Sequence, residues 1–554
     1  MNKTNMFILW SILYMISSML FLTLSMKMMY MKTSMMIEWE ILKINSSNIF
    51  FLILMDWMSM MFMSTVTMIS SMIMMYSGNY MNNNKNESNR FIMLINLFIL
   101  SMMLMIISPN MISIMLGWDG LGLVSYCLVI FYSSKKMYNS GMITCLTNRM
   151  GDIGLLMAIS WMMSYGSWHF MFYKEMYMET LCYLIVISCF TKSAQMPFYS
   201  WLPEAMAAPT PISALVHSST LVTAGVYLTI RFMGKMNTKY FMLTSMLTTI
   251  MSSICANYEF DLKKIIALST LSQLGMMMSS IFLGMKELAF LHLLTHATFK
   301  SLLFMSAGIF IFYNMNNQDI RNLSMNCKNL PMTSTCFSIS TMALCGMPFM
   351  SGFYSKDIIL ENMSINMINM TSYNLMYLSL MLTLTYSMRM IYYLMMKNKK
   401  TNLSTKIMKF NLMKISMILL TIMSINFGSM LMWMLNLNLK LLMITKTMSI
   451  LTLLLMTSGI WMSLESMKFN KYLFYNKMYE FNSNMWNTLK MMKKYQKMLF
   501  MFSLYNKKQL NLGWGEYLGA MGLSNQLMKM SKMMLMSKNN IFMLSILSWM
   551  FMMM

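Results

Sequence analysis

The run from Lys192 to Leu228, KSAQMPFYSWLPEAMAAPTPISALVHSSTLVTAGVYL, decides how the rest of the chain reads. It opens on a lysine set in an apolar helix pattern. Such an ammonium must pair with an acid or give up its proton, because desolvation disfavours the charged form. Pro197 lies five residues on; it removes a backbone donor and breaks the helix nearby. Helices broken at mid-membrane are where transporters place ion sites. Further along, His217 stands among Ser218, Ser219, Thr220 and Thr223. That setting of hydroxyls able to hold water favours a proton-relay imidazole over a satisfied core histidine.

Composition fixes the medium. The chain has 554 residues, 57% hydrophobic and only 11% charged, whereas soluble domains carry about 25% charged residues. A soluble core, a disordered chain and a secreted disulfide scaffold are excluded. A helix needs about 20 apolar residues to cross roughly 30 Å of hydrocarbon, and on that rule the sequence holds about fifteen to sixteen spans. The expected fold is all-α: a polytopic membrane protein with inverted repeats, broken helices and a C-terminal lateral amphipathic helix. The expected parts are N-terminal spans over 1–89, a first half over 90–232, a second half over 239–396 and further spans over 397–484. A lateral helix over 485–536 and a final span over 541–554 complete the chain. The run from Met6 to Leu24 lacks a small-residue cleavage site and reads as a retained first span. MNNNKNESNR (81–90) and KNKKTNLSTK (397–406) read as loops.

The formal net charge is +24, but the lysines are scattered through loops and the last third, without the clustered basic face that nucleic acid requires. Arginine occurs only at 90, 149, 231, 321 and 389, and methionine 91 times. That bias suggests AT-rich codons and a mitochondrial code. The eight cysteines include no C-x-x-C pair, so neither a cluster, a zinc site nor a disulfide framework is indicated. No Walker A, G-x-G-x-x-G or nucleophile–base arrangement marks an active site on this chain.

Ionisable residues inside spans cost about 2.5–3.5 kcal/mol each on insertion, and here they are grouped. Asp119 lies in GWDGLGLVSY, where a carboxylate needs a cationic or hydroxyl partner. His292, His296 and Lys300 recur every fourth residue, drifting only about 80° around one helix. A zinc site there lacks the intervening Glu of H-E-x-x-H and a third ligand. Lys356 and Asp357 follow a second Pro/Gly break in GMPFMSGFYSKDIIL. Arg149 and Asp152, in NRMGD, are expected to form a structural ion pair. Two lysines close to interrupted helices, in corresponding parts of two halves, point to an inverted-repeat transporter.

Taken together, 192–228, GWDGLG, HLLTHATFKSLLFMSAG and GFYSKDIIL resemble the antiporter-like subunits of respiratory complex I, and the Met-rich composition resembles an arthropod version. The resemblance covers most of 50–365; beyond 400 it rests on architecture. It implies a proton-translocating subunit of an NADH:ubiquinone reductase in the mitochondrial inner membrane, with no redox site of its own. NADH, FMN, iron–sulfur clusters and ubiquinone would sit on other subunits, with neighbouring antiporter-like subunits along the lateral helix and lipid as partners. Asp119, where the family usually has Glu, would pair with Lys192 as a charge switch. His217, His292, His296 and Lys300 would form a hydrated axis ending at Lys356 and Asp357. The rival readings are a stand-alone Mrp-type cation/proton antiporter and a scaffold subunit without conduction. The glycines at 513, 515, 519 and 522 are expected to interrupt the lateral helix.

Overall fold

The computed structural model describes residues 3–553 apart from 45–46, 82–84, 165, 167, 170–178, 233–238, 324–325, 366–369, 397–410, 436–445 and 469–476. The basic loop expected at 397–406 lies outside the described residues. The chain divides into two compact units, Met1–Met485 and Trp486–Met554.

In the first unit α1 (Lys3–Met31) leads into an antiparallel hairpin of β1 (Met35–Ile44) and β2 (Ser47–Met55), with Met35 opposite Met55 and a register irregularity between Glu40 and Leu42. The hairpin is a local exception in an otherwise all-α fold, and the span expected to begin at residue 50 begins at Trp57. The stretch SNIFFLILM (47–55) is rich in branched and aromatic residues that suit a strand. The helix itself starts only at a capping box, where Ser59 Oγ accepts from the Asp56 backbone N–H at 2.8 Å.

From there the chain is helical: α2 (Trp57–Tyr80), α3 (Lys85–Ile107), α4 (Met111–Val129), α5 (Lys135–Met163) and α6 (Glu179–Lys192). After a break come α7 (Trp201–Ala205), α8 (Thr210–Ile212), a π-helical stretch Ser213–Thr220 that continues α8, and α9 (Leu221–Phe232). The chain goes on with α10 (Lys239–Tyr258), α11 (Leu262–Phe282), α12 (Lys286–Tyr313), the short α13 (Asn326–Asn329), α14 (Pro331–Cys345) and α15 (Ser351–Ile365). Then follow α16 (Met370–Ile391), α17 (Asn411–Leu435), α18 (Lys446–Lys468) and α19 (Lys477–Ser483).

Among the described residues eight helices combine the length and apolarity needed to cross a bilayer, which makes this a multi-pass membrane protein. The fuller expected count is not met by that criterion because several expected spans are short or charged. α6 is only 14 residues long, α14 and α15 are 15 each, and α5 carries Lys135, Lys136, Arg149 and Asp152. The centre of the unit is built from α2, the helix through 210–232, α11 and α12; the most apolar window of α12 is 94% buried, against 17% for α1. Methionine fills this core, as at Met60, Met61, Met63 and Met276–Met278. Its flexible thioether fits irregular gaps between helices.

The second unit is α20 (Thr488–Lys507), a π-helical stretch Lys508–Trp514, α21 (Gly515–Leu518) and α22 (Ala520–Met553). Of the four glycines only Gly519 leaves helical geometry, with ψ −136°. Gly513 falls in the π-helical stretch and Gly522 inside α22. Residues 541–553 continue α22 without a break. Met491, Tyr495, Met498 and Phe502 are all exposed in this unit.

Outside the spans, the α10–α11 turn is tied to the chain following α12. Leu262 N donates to Gln318 O at 3.0 Å and Ile320 N to Phe260 O at 3.1 Å. The Phe260 ring is met by two guanidinium groups, Arg321 at 4.2 Å and Arg389 at 4.8 Å from its centre. Arg321 clamps Asp319 through Nε and Nη2, the shortest contact being 2.6 Å. Burial would raise the Asp319 carboxyl, but the Arg321 hydrogen bonds and charge outweigh it and hold it below its ordinary value. A carboxyl depressed in the folded state stabilises the fold above its unfolded value, about pH 4, and that contribution is lost as pH falls through the folded value. Hydrogen exchange at 315–323, corrected for intrinsic rates, should therefore accelerate as pH drops below about 4; Asp319→Asn should abolish that acid-dependent increase.

Candidate functional site

Lys192 is the last residue of α6 and is fully buried. Beyond it the chain takes a left-handed turn at Ala194 and a cis bond at Met196–Pro197 before α7 starts. The break frees carbonyls that side chains then satisfy: Trp201 Nε1 donates to Thr191 O at 2.8 Å, and Gln195 Nε2 to Ser193 O at 3.2 Å. Gln195 Oε1 in turn accepts from Thr248 Oγ1 of α10 at 2.6 Å. A Cβ at Gly225 would sit 2.7 Å from Cys189 O and 3.0 Å from Ser193 N, so glycine there is what lets α9 approach the break.

The Lys192 ammonium donates to Trp118 O at 2.7 Å and lies 3.8 Å from the centre of the Trp118 ring. Among the described residues it makes no ion pair with Asp119, which corrects the pairing expected above. The reason is helical geometry: neighbouring residues point about 100° apart. With Trp118 turned inward, Asp119 turns toward α5, and its side chain is 39% exposed. There it meets Arg149 at 3.8 Å, while Arg149 reaches Asp152 at 3.2 Å. Asp152 accepts from Trp118 Nε1 at 2.9 Å. Two carboxylates thus flank the tryptophan that holds the lysine, and one arginine is shared between them.

His217 lies in the π-helical stretch, buried, its ring 6.1 Å from that of Trp201. Neither ring nitrogen has a hydrogen-bond partner among the described residues. The flanking hydroxyls do not serve it. Ser218 donates to Ala214 O, Thr220 to Leu215 O at 2.8 Å and Thr223 to Ser219 O at 2.7 Å. A widened turn leaves carbonyls that these side chains satisfy locally.

The stripe on α12 is opposed by polar residues of α11 and α15. His292 Nδ1 lies 2.8 Å from Ser355 Oγ and its Nε2 3.2 Å from Gln273 Oε1. Thr295 Oγ1 is 3.2 Å from the same serine. Lys300 Nζ donates to Ser269 Oγ at 2.6 Å. His296 has no partner at either nitrogen among the described residues; its ring packs edge-on against Phe299. Ser355 neighbours Lys356, whose Nζ donates to Thr383 Oγ1 at 3.0 Å and to Leu344 O at 3.4 Å. Leu344 is near the end of α14, where Gly346 (φ 81°) turns the chain and the helix dipole presents its negative end. Asp357 Oδ1 is buried without a hydrogen bond among the described residues.

The structure thus brings His292, Thr295 and Lys300 together with Ser355 and Lys356, and sets His217 and the Thr191 carbonyl, one residue before Lys192, against Trp201. Asp119 stands apart on the outer side. Ser269, Gln273, Ser355, Thr383, Trp118 and the Gln195–Thr248 pair were not singled out in the sequence; Gln273, an amide inside LSTLSQLGMMM, was the one visible signal. A further buried lysine, Lys263, donates to Ala208 O at 3.0 Å; at the start of a span it reads from sequence as an interfacial anchor. Among the described residues no three His, Cys, Asp or Glu side chains group closely enough to hold a metal ion.

Residues 108–385 match the family described as NADH:quinone oxidoreductase/Mrp antiporter, TM. Residues 39–92 match the chain 5 N-terminus of NADH-ubiquinone oxidoreductase (complex I), and 386–554 the NADH dehydrogenase subunit 5 C-terminus. NADH-ubiquinone oxidoreductase chain 5 of Aedes aegypti is 47% identical over 519 residues, 90% of this chain and 89% of that one. The chain 5 of Locusta migratoria is 45% identical, over 90% of each chain. The chain belongs to the NADH-ubiquinone oxidoreductase chain 5 family. Its fold is like that of a chain in the Mrp complex from Dietzia sp., with TM-score 0.70 and 20% identity over 85% of this chain; it spans 57% of that longer chain. It is also like a chain of the archaeal membrane-bound sulfane sulfur reductase, with TM-score 0.65 and 17% identity over 83% of this chain and 98% of that one. As a member of the chain 5 family, it is a membrane subunit of a larger complex.

Thr248→Val tests the lock on the Lys192 break. It strands the buried Gln195 oxygen, a loss of about 1–3 kcal/mol. A lower melting temperature of the assembled complex is expected, with Gln195→Ala costing less when combined with it than alone, since only the bond to Ser193 O is then left to lose.

Proposed function

We propose that this chain, a proton-translocating antiporter-like subunit of NADH:ubiquinone oxidoreductase, moves protons along Lys192, His217, the His292–His296–Lys300 stripe and Lys356. The observation that carries the reading is that three lysines, Lys192, Lys300 and Lys356, are fully buried and bonded to carbonyls and hydroxyls, with no carboxylate within ion-pair distance among the described residues. An ammonium whose direct contacts are neutral dipoles, with carboxylates only at a distance, is poised between its charged and neutral forms, so a small change in field decides whether it keeps its proton.

The switch on that field is the outer cluster. Arg149 sits between Asp119 and Asp152. When it leans on Asp152 it cancels the carboxylate that acts on Lys192 through Trp118; when it leans on Asp119 that charge is released and holds the proton. Each unit of pKa moved this way corresponds to about 1.4 kcal/mol. Hydrogen-bonded His292 and Ser355 join the α12 stripe to Lys356, with Asp357 beside it as the last negative group. Arg149 and Asp152 therefore have a structural and a switching role at once.

On the same reading the chain sits in the mitochondrial inner membrane among other complex I membrane-arm subunits and lipid, with the stretch expected as a lateral helix, 485–536, against neighbouring antiporter-like subunits. NADH, FMN, iron–sulfur clusters and ubiquinone belong to other subunits. The halves 90–232 and 239–396 carry the path, flanked by the spans of 1–89 and 397–484.

Lys192→Ala and Lys356→Ala are each expected to lower the number of protons moved per NADH in the reconstituted complex. Unchanged stoichiometry in both would remove these lysines from the path and leave the buried cations a packing role. Asp152→Asn, which keeps the tryptophan hydrogen bond but deletes a charge, should impair pumping more than Asp119→Asn does, since only Asp152 contacts Trp118.

A further inference from the structure

His217, His292 and His296 are all buried, but they differ in what their ring nitrogens meet. Among the described residues neither nitrogen of His217 or of His296 has a hydrogen-bond partner, so no protein group chooses between their two neutral tautomers. His292 has a partner on each side, Ser355 Oγ at 2.8 Å from Nδ1 and Gln273 Oε1 at 3.2 Å from Nε2. A hydroxyl can donate or accept, whereas an amide oxygen only accepts. Nε2 therefore carries the hydrogen, and Nδ1 of the neutral ring accepts from Ser355.

This assignment requires that the Gln273 amide keep its oxygen toward the ring. Ser272 donates its hydrogen to Ser269 O at 2.9 Å, so in its 3.5 Å contact with Tyr386 Oη the tyrosine is the donor. With its one hydrogen committed, Tyr386 Oη accepts from Gln273, whose side chain bonds it. The NH2 end of the amide is thus tied to α16 while its oxygen faces α12. Turned over, the amide would meet the tyrosine oxygen lone pair to lone pair. Gln273, Tyr386 and Ser272 are all buried, and the run Ser355, His292, Gln273, Tyr386, Ser272 passes its hydrogens in one direction.

We propose that Gln273, held by Tyr386, fixes His292 as the Nε2–H tautomer and closes that side of the ring to protons, so that His292 is loaded and unloaded only at Nδ1, through the Ser355 hydroxyl. The inference deepens the proton-path reading above and rests on it. An amide oxygen is too weak a base to carry a proton onward at neutral pH, so a proton that enters at Nδ1 does not leave at Nε2. His292 then stores a proton beside Lys356 instead of handing it along the ring from one nitrogen to the other. Loading balances: Ser355 gives its hydrogen to Nδ1 while its oxygen receives one from the side of Thr295, whose Oγ1 is 3.2 Å away. The loaded ring donates from Nδ1 to Ser355 Oγ, and the serine directs its own hydrogen to Gly352 O at 3.3 Å. Unloading reverses both steps, and the Nε2 hydrogen stays in place throughout. Gln273 and Tyr386 touch the ring or its holder and take no proton themselves; they are positioning residues.

The decisive experiment uses the whole complex in sealed vesicles, with Tyr386→Phe and Gln273→Met measured beside Lys192→Ala and His292→Asn. NADH oxidation by a water-soluble artificial acceptor reports assembly. Infrared difference spectra of ring-labelled histidine, taken between the resting and the NADH-reduced complex, separate the two neutral tautomers by their ring C–C stretch. The His292 band is the one lost in His292→Asn. In the parent that band is expected at the Nε2–H position, and in Tyr386→Phe and Gln273→Met it should divide between both tautomers. Both variants should also lower the protons moved per NADH toward the Lys192→Ala value. A parent band at the Nδ1–H position overturns the assignment. So does a fall in proton ratio with the band unmoved in both variants, which is what a packing role alone produces. Parent ratios in both variants, beside a reduced one in Lys192→Ala, overturn the closed side of the ring. A full ratio in Lys192→Ala overturns the path on which the proposal rests, while the parent band decides the tautomer independently. If Gln273→Met fails to assemble, Tyr386→Phe and the parent band decide.

Discussion

The structure depends on holding positive charge inside an apolar bundle with almost no negative charge to meet it. Lys192, Lys300 and Lys356 are buried to within 1% of complete, yet their contacts are a carbonyl and an indole face, a serine hydroxyl, and a threonine with a helix-end carbonyl. Transfer of an ammonium from water to such a site is costly unless dipoles replace its hydration. The second helix break serves that need directly. At 193–200 and 346–350 the backbone leaves the regular helical ladder for turns. Leu344, just before the second break, offers its carbonyl to Lys356, and Trp201 and Gln195 take up carbonyls freed at the first. Lys192 is served differently, by the carbonyl of Trp118 within the unbroken α4, whose oxygen has a second lone pair to offer.

The same economy explains the hydroxyls. In a bundle this apolar a serine or threonine must bond somewhere, and most bond to their own helix. Those that also reach another element mark where helices must stay in register: Ser269 to Lys300, Ser355 to His292, Thr383 to Lys356, Thr248 to Gln195. Three of these contacts connect α11, α12, α15 and α16 to one another, and the fourth ties α10 to the break after Lys192, so within each set a shift of one helix is felt by the next. Coupling along such a chain needs no long-range wire beyond the pairwise contacts.

Much of this was legible in the sequence. The broken helices at Lys192–Pro197 and Gly346–Lys356 were announced by proline and glycine beside a lone lysine, and the α12 stripe by its four-residue spacing. What misled was adjacency. The family resemblance pairs Asp119 with Lys192, whereas Trp118 beside it, apolar by type, presents the contacting carbonyl and ring. Ser218 to Thr223 looked like a water cage around His217 and instead satisfy the π-helical backbone. The hairpin over 35–55 was hidden because a short apolar run does not by itself distinguish a strand from a helix.

Residue type and spacing alone determined that the chain is a helical membrane protein, where its helices break, and which face of α12 carries titratable groups. These follow from local rules: hydrocarbon thickness, the missing proline N–H and the pitch of the helix. Only the tertiary structure decided which groups meet. Partners such as Trp118 and Lys192 are 74 residues apart, and His292 and Ser355 are 63 apart. The contacting atom at several of them is a backbone carbonyl, which every residue possesses and no sequence distinguishes. The direction a side chain takes around its helix, and the neighbour that packing brings opposite, are properties of the assembled bundle.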